Sequence, residues 1–119
     1  MPRNAPVIDS YGPGGFRLSG EWREGSVLIL ADEARSWPVA AAGEMTANSL
    51  AAVLEAGRAE AELLILGMGE KNALPPRDLR EAVARAGLGL EFMDTPAAAR
   101  LYNVLTSEGR RLAAALIAL

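Results

Sequence analysis

Apolar residues fall along this chain in two rhythms. Up to about residue 40 they come in short runs broken by glycine and proline. Val7-Ile8-Asp9-Ser10-Tyr11 reads as a strand, closed by Gly12-Pro13-Gly14-Gly15. Phe16-Arg17-Leu18 alternates apolar and polar, the period of a half-buried strand. Ser19-Gly20 is a turn signal. Ser26-Val27-Leu28-Ile29-Leu30 is a continuous apolar run, as in a buried strand. Residues 35–39 form another short strand, and Pro38 puts it at a sheet edge, because proline cannot donate to a ladder.

Beyond that point the apolar positions take up helical spacing. Thr46 is placed to cap a helix whose stripe is Leu50, Val53 and Leu54, with Gly57 as its stop. Residues 62–66 make a strand ending at Gly67. Pro76 suits the first turn of a second helix, with Leu79, Ala82, Val83 and Ala86 on one face and Gly87 at its end. Residues 88–93 are the next strand. Thr95-Pro96 opens a third helix as cap and first residue, Ala98, Leu101, Tyr102 and Leu105 form its stripe, and Gly109 ends it. Each helix is expected to run about three turns. Strands alternating with helices imply parallel pairing through right-handed crossovers. Residues 111–119 admit two readings. Their alanine content favours helix, while their all-apolar character straight after a helix stop favours a buried strand. We take the strand.

Composition narrows the class of function. At 119 residues the chain suits a single α/β domain over residues 1–119 with one core. Its 50% hydrophobic and 23% charged residues are the balance of a globular protein. The net charge is −3 and the basic residues are scattered among acidic ones, which argues against nucleic acid as a partner. With no cysteine, the chain offers no disulfide, thiolate nucleophile or zinc–thiolate site. With no histidine, it lacks the commonest general base and metal ligand, and a Ser–His–Asp triad is excluded. Met1-Pro2-Arg3-Asn4-Ala5-Pro6 has no apolar run and is read as no signal peptide. The longest apolar stretch is residues 112–119, against roughly 20 residues needed to span a bilayer as a helix. No membrane span is expected, and the compartment is read as cytoplasmic. The sequence implies no cofactor and sets no oligomeric state.

Several groups could still carry chemistry. Gly67-Met68-Gly69 follows a strand, as a phosphate cradle does. A dinucleotide fingerprint has a third glycine and opens directly into a helix, whereas here the helix starts near Pro76. Lys71 has no Ser or Thr after it, so this is no Walker loop, and a turn needing positive φ or close packing is the plainer reading. Lys71, the only lysine, lies among polar neighbours and reads as solvated. Among the carboxylates Glu70, Asp78, Asp94 and Glu108, Asp78 and Asp94 sit where helix N-termini favour negative charge on structural grounds alone. No EF-hand spacing is present, so no metal site is assigned. Tyr102, Asn103, Glu108 and Arg110 form the most suggestive cluster. Asn103 is a poor helix-interior residue, and a buried Tyr102 hydroxyl needs a partner. The cluster is either a polar bridge from the helix to the final strand or a pocket for an anionic or amide group. The candidate pocket is therefore Gly67, Gly69, Thr95, Tyr102, Asn103 and Arg110, with no catalytic residue assigned.

The run Thr95-Pro96-Ala97-Ala98-Ala99-Arg100-Leu101-Tyr102-Asn103-Val104-Leu105, then Glu108-Gly109-Arg110-Arg111, resembles a small domain family. That family includes mitochondrial respiratory complex I assembly factor 3 and the adipogenesis-associated domain protein. Ile8-Asp9-Ser10-Tyr11, Gly15-Phe16, Gly25-Ser26-Val27-Leu28-Ile29 and Leu64-Ile65-Leu66-Gly67-Met68-Gly69 support it in the expected order, covering nearly the whole chain. Met68 departs from the small polar residue expected there, which weakens a ligand role for this loop. The resemblance implies a layered α/β fold with a central mixed β-sheet and helices after an N-terminal β-rich part. It also implies that the last strand is internal and antiparallel to its neighbours. It implies no established enzymatic activity. The expectation is a non-enzymatic protein-binding or assembly module, which Trp22 and Trp37 could anchor if exposed. The alternative is a small-molecule binder or enzyme using the candidate pocket, although these residues make a weak case for turnover.

Overall fold

Residues 5–119 are described in a computed structural model. The reading of the N-terminus as no signal peptide rests on residues 1–6, of which 1–4 lie outside the described residues. The N-terminal part is an antiparallel meander of β1 (Ile8–Gly12), β2 (Gly15–Leu18) and β3 (Glu21–Glu24). The pattern of the sequence missed β3, because Glu21, Trp22 and Glu24 are all exposed and leave no apolar alternation. The turn before it specifies the hairpin. Leu18 pairs with Glu21 across Ser19 and Gly20, whose φ values of 47° and 88° are both positive. Two left-handed residues in a two-residue loop match the twist of a hairpin.

A second sheet contains β4 (Val27–Leu30), β5 (Glu33–Ser36), β6 (Leu63–Gly67), β7 (Gly89–Met93) and β8 (Leu112–Leu116), in the order β5-β4-β8-β6-β7. β5 is an edge strand, as Pro38 suggested, but it ends before Trp37 and Pro38. β8 lies inside the sheet, in agreement with the expectation. It is antiparallel to β4 and parallel to β6, so it is antiparallel on one side only. The mixed sheet follows from this: crossovers from β6 to β7 and from β7 to β8 keep those three strands parallel.

Three α-helices connect these strands, α1 (Ala51–Ala56), α2 (Arg77–Arg85) and α3 (Thr95–Ser107). Only α3 reaches the expected three turns or more. α1 has six residues, flanked by 3-10 turns at Asn48–Leu50 and Gly57–Ala59. Thr46 does not cap an α-helix. Its hydroxyl accepts from Ser49 N while Ser49 Oγ donates to Thr46 O at 2.6 Å, a local turn that competes with helical bonding. The stops are as expected, since Gly57, Gly87 and Gly109 all have positive φ.

The central sheet is buried on both faces. Leu28, Leu30, Leu64, Leu66, Ala113 and Ala115 join the cluster that contains Val53 of α1 and Leu79 and Val83 of α2. Val27, Ile29, Ile65, Leu112, Ala114 and Leu116 join the cluster with Ala98, Ala99 and Tyr102 of α3 and Ile8, Phe16 and Leu18 of the small sheet. Alternate residues thus serve opposite cores, the period-2 rule of a strand. The layers are α1 and α2, then the five-stranded sheet, then α3 beside the three-stranded sheet.

Candidate functional site

The six nominated residues occupy three places. The first is the C-terminal end of β6. A Cβ on Gly67 would lie 2.8 Å from Leu116 Cδ2 and 2.9 Å from Thr95 Oγ1, so this glycine is required by close packing. Gly69, at φ 101°, turns the chain and its N–H donates to Thr95 Oγ1 at 3.0 Å. The Thr95 hydroxyl donates in turn to Ile117 O at 2.7 Å. A threonine of 0% exposure therefore ties the end of β6, the start of α3 and the end of β8 together. Thr95 is not the cap of α3. That role belongs to Asp94, whose Oδ1 accepts from Ala97 N at 2.9 Å, and Thr95, one residue on, turns inward.

Two turns further along α3, Tyr102 and Asn103 hold the start of the chain. Tyr102 Oη donates to Pro6 O at 2.8 Å. Asn103 Oδ1 accepts from Ile8 N at 2.9 Å and its Nδ2 donates to Ile8 O at 2.8 Å. One side-chain amide thereby pairs with Ile8 as a neighbouring strand would. These two side chains therefore bridge α3 to β1, not to the final strand, which is where a structural bridge was expected to run.

Arg110 lies past the far end of α3, which rises about 20 Å from Thr95. Its Nε donates to Glu62 Oε1 at 2.6 Å, with both side chains more than a third exposed. That hydrogen bond holds the Glu62 carboxyl below the ordinary glutamate range. Partial desolvation opposes it, and the charges of Arg110, Arg111 and Arg58 reinforce it. Glu62 was not nominated from sequence. The signal for it is that β6 and β8 are parallel neighbours that start at the same end of the sheet, so charges just before each strand meet.

The remaining candidates are dispersed. Lys71 is exposed, as expected. Asp78 accepts only a long bond, 3.5 Å, from Ala47 N. Among the described residues no three carboxylates converge on a metal position. A groove of about 430 Å³ opens where Gly25 and Ser26 precede β4, between Trp37 and Val39 on one side and Ala118 and Leu119 on the other. None of the six nominated residues lines it. Trp37 is 4% exposed, with Nε1 donating to Ser49 O, so it is a core residue and not a free anchor. Trp22 is 40% exposed. Its ring crosses the backbone of Gly12 and Gly15, where Cβ atoms would meet it at 3.6 and 2.9 Å, and its Nε1 donates to Glu24. No helix among the described residues is long and apolar enough to cross a membrane.

A family profile described as "Protein of unknown function (DUF498/DUF598)" matches residues 8–117. An uncharacterised protein of Rhodobacter capsulatus is 42% identical over 110 residues, spanning 92% of this chain and 82% of that protein. NADH dehydrogenase (ubiquinone) 1 alpha subcomplex assembly factor 3 of Danio rerio is 34% identical over 113 residues, 93% of this chain. The chain spans 63% of that assembly factor's length. The crystal structure of an outer membrane protein from Bartonella henselae superposes with a TM-score of 0.90 at 30% identity, covering 99% of this chain and 98% of the other.

Proposed function

This chain belongs to the DUF498/DUF598 family of proteins of unknown function, and from that premise we propose that it is a non-enzymatic protein-binding module that helps assemble a respiratory membrane complex. One observation carries the reading: a protein named as a complex I assembly factor aligns with 93% of this chain. The polar side chains that could have formed a reactive pocket support it, because Thr95, Tyr102 and Asn103 each bond to the chain's own backbone. Trp22 supplies a surface of the kind that anchors protein partners, a large ring held in place by its own strand neighbours. The cytoplasm is the compartment that goes with this reading.

Affinity purification of the tagged chain at native expression, with chemical cross-linking, tests it. Respiratory-complex subunits should be recovered reproducibly and lost with Trp22→Ala. Failure to recover any such subunit in repeated purifications overturns the reading. Cell fractionation checks the compartment; recovery with the membranes of cells that lack those subunits, the behaviour suggested by the name of the Bartonella henselae protein, overturns that part.

A further inference from the structure

The two sheets have four outer strand edges, and three of them are blunted. The Asn103 amide occupies β1. β3 carries Glu21, Arg23 and Glu24. β5 carries Glu33 and Arg35, and Arg23 takes its Ala34 carbonyl. Charges and covered backbone are the usual protection of an edge against a foreign strand. β7 is different. Its sequence Gly-Leu-Glu-Phe-Met has one charge, and among the described residues it pairs only with β6.

The ladder identifies which groups of β7 are open. Gly89 N donates to Glu62 O, and Met93 O accepts from Met68 N. In a parallel pair these bonds recur at every second residue, so Gly89, Glu91 and Met93 face β6. The N–H and C=O of Leu90 and Phe92 point away from the sheet. The side chains of Leu90 and Phe92 lie half-buried on the α2 face. Glu91, exposed, lies on the opposite face and makes no ion pair among the described residues.

A second copy of the chain fits this edge poorly. Antiparallel exchange between Leu90 and Phe92 of two copies sets Glu91 directly opposite Glu91, and like charges there repel. Sliding the register by two sets Phe92 opposite Leu88, whose N–H is already bound to Val83 O, or, in the other direction, Leu90 opposite Asp94, whose C=O already accepts from Ala98 N at the start of α3. We propose that the outer edge of β7 receives one extended segment of a partner protein with an apolar–basic–apolar centre. The basic residue faces Glu91 and the apolar pair covers Leu90 and Phe92. Strand addition of this kind takes affinity from main-chain bonds and specificity from alternate side chains. The inference rests on the protein-binding reading and names the chemistry of the partner.

Isotope-labelled protein titrated with nine-residue peptides that differ only at the centre, Val-Lys-Val against Val-Glu-Val, tests it by NMR. The Leu90 and Phe92 amides should shift and saturate with the lysine peptide, and about tenfold more weakly with the glutamate peptide. Glu91→Lys, an exposed change that spares the core, should reverse the preference. Equal affinity for both peptides, shifts centred elsewhere, or shifts of Leu90 and Phe92 that follow protein concentration without peptide each overturn the proposal, the last in favour of self-association. In the purification experiment, a partner that survives Glu91→Lys but not Trp22→Ala removes the β7 site while leaving the protein-binding reading intact.

Discussion

Thr95 shows how a residue nominated for ligand binding can be used entirely within the chain. Its hydroxyl both accepts and donates in a site of 0% exposure. Thr95→Val keeps the shape and strands two buried backbone groups, so stability should fall by about 2–4 kcal/mol. Thr95→Ser keeps both bonds and loses one methyl, at about 1 kcal/mol. Urea denaturation separates the two, and an equal loss would contradict the junction. Glu62 gives the pH signature. Its folded pKa lies below its unfolded one, so the stability it adds is present above the ordinary glutamate range. That stability is lost as pH falls through the folded value. Glu62→Gln should flatten, by a small amount as suits an exposed pair, the fall in urea midpoint as pH drops through and below the ordinary glutamate range. The residue types of the candidate site were legible in the sequence, including the need of Tyr102 and Asn103 for partners. Which partners they take was not, because Pro6 and Ile8 lie almost a full chain length away.

At the scale of elements, periodic burial was readable and exposure was not. β4, β6, β7, β8, α2 and α3 carry apolar patterns that match the faces they bury, and α2 and α3 stop at glycines with positive φ, Gly87 and Gly109. β3 has no apolar alternation to read, with three of its four residues exposed, and α1 is shorter than its apolar stripe suggests. β3 is set by the hairpin turn before it, and the Thr46–Ser49 bonds delay the start of α1. The choice of strand for the final segment is also explained by packing. Ala113, Ala114 and Ala115 are individually helix formers, yet the sheet centre needs small side chains on both faces. The attachment of β1 to α3 is a separate element-level device. Asn103→Ala should cost about 1–3 kcal/mol and speed hydrogen exchange at the Ile8 amide selectively. Unchanged exchange there would mean that β2 alone holds β1.

For the whole molecule, the layers place the two tryptophans in opposite environments, a distinction the sequence could not make. Trp37 lies inside the α1–α2 side of the core and Trp22 on the outside of the small sheet. Acrylamide should quench about half of the native fluorescence readily, and Trp22→Ala should remove that accessible share with little loss of stability. Trp37→Ala should cost about 3–5 kcal/mol. A single quenching population in the native protein would count against this arrangement. The three separate positions of Gly67–Gly69 with Thr95, Tyr102 with Asn103, and Arg110 are likewise set at this scale, by a helix and a strand whose lengths hold the groups apart. The internal position of β8 has a further consequence, during synthesis. β4 and β6 each have one flank unpaired until residues 112–116 leave the ribosome, because β8 is the neighbour both require. The nascent chain therefore emerges with two apolar strands open to wrong pairing, and native closure waits for contacts between its distant parts. Such contacts slow folding, so the period before β8 docks is the one in which β4 and β6 are most open to wrong pairing.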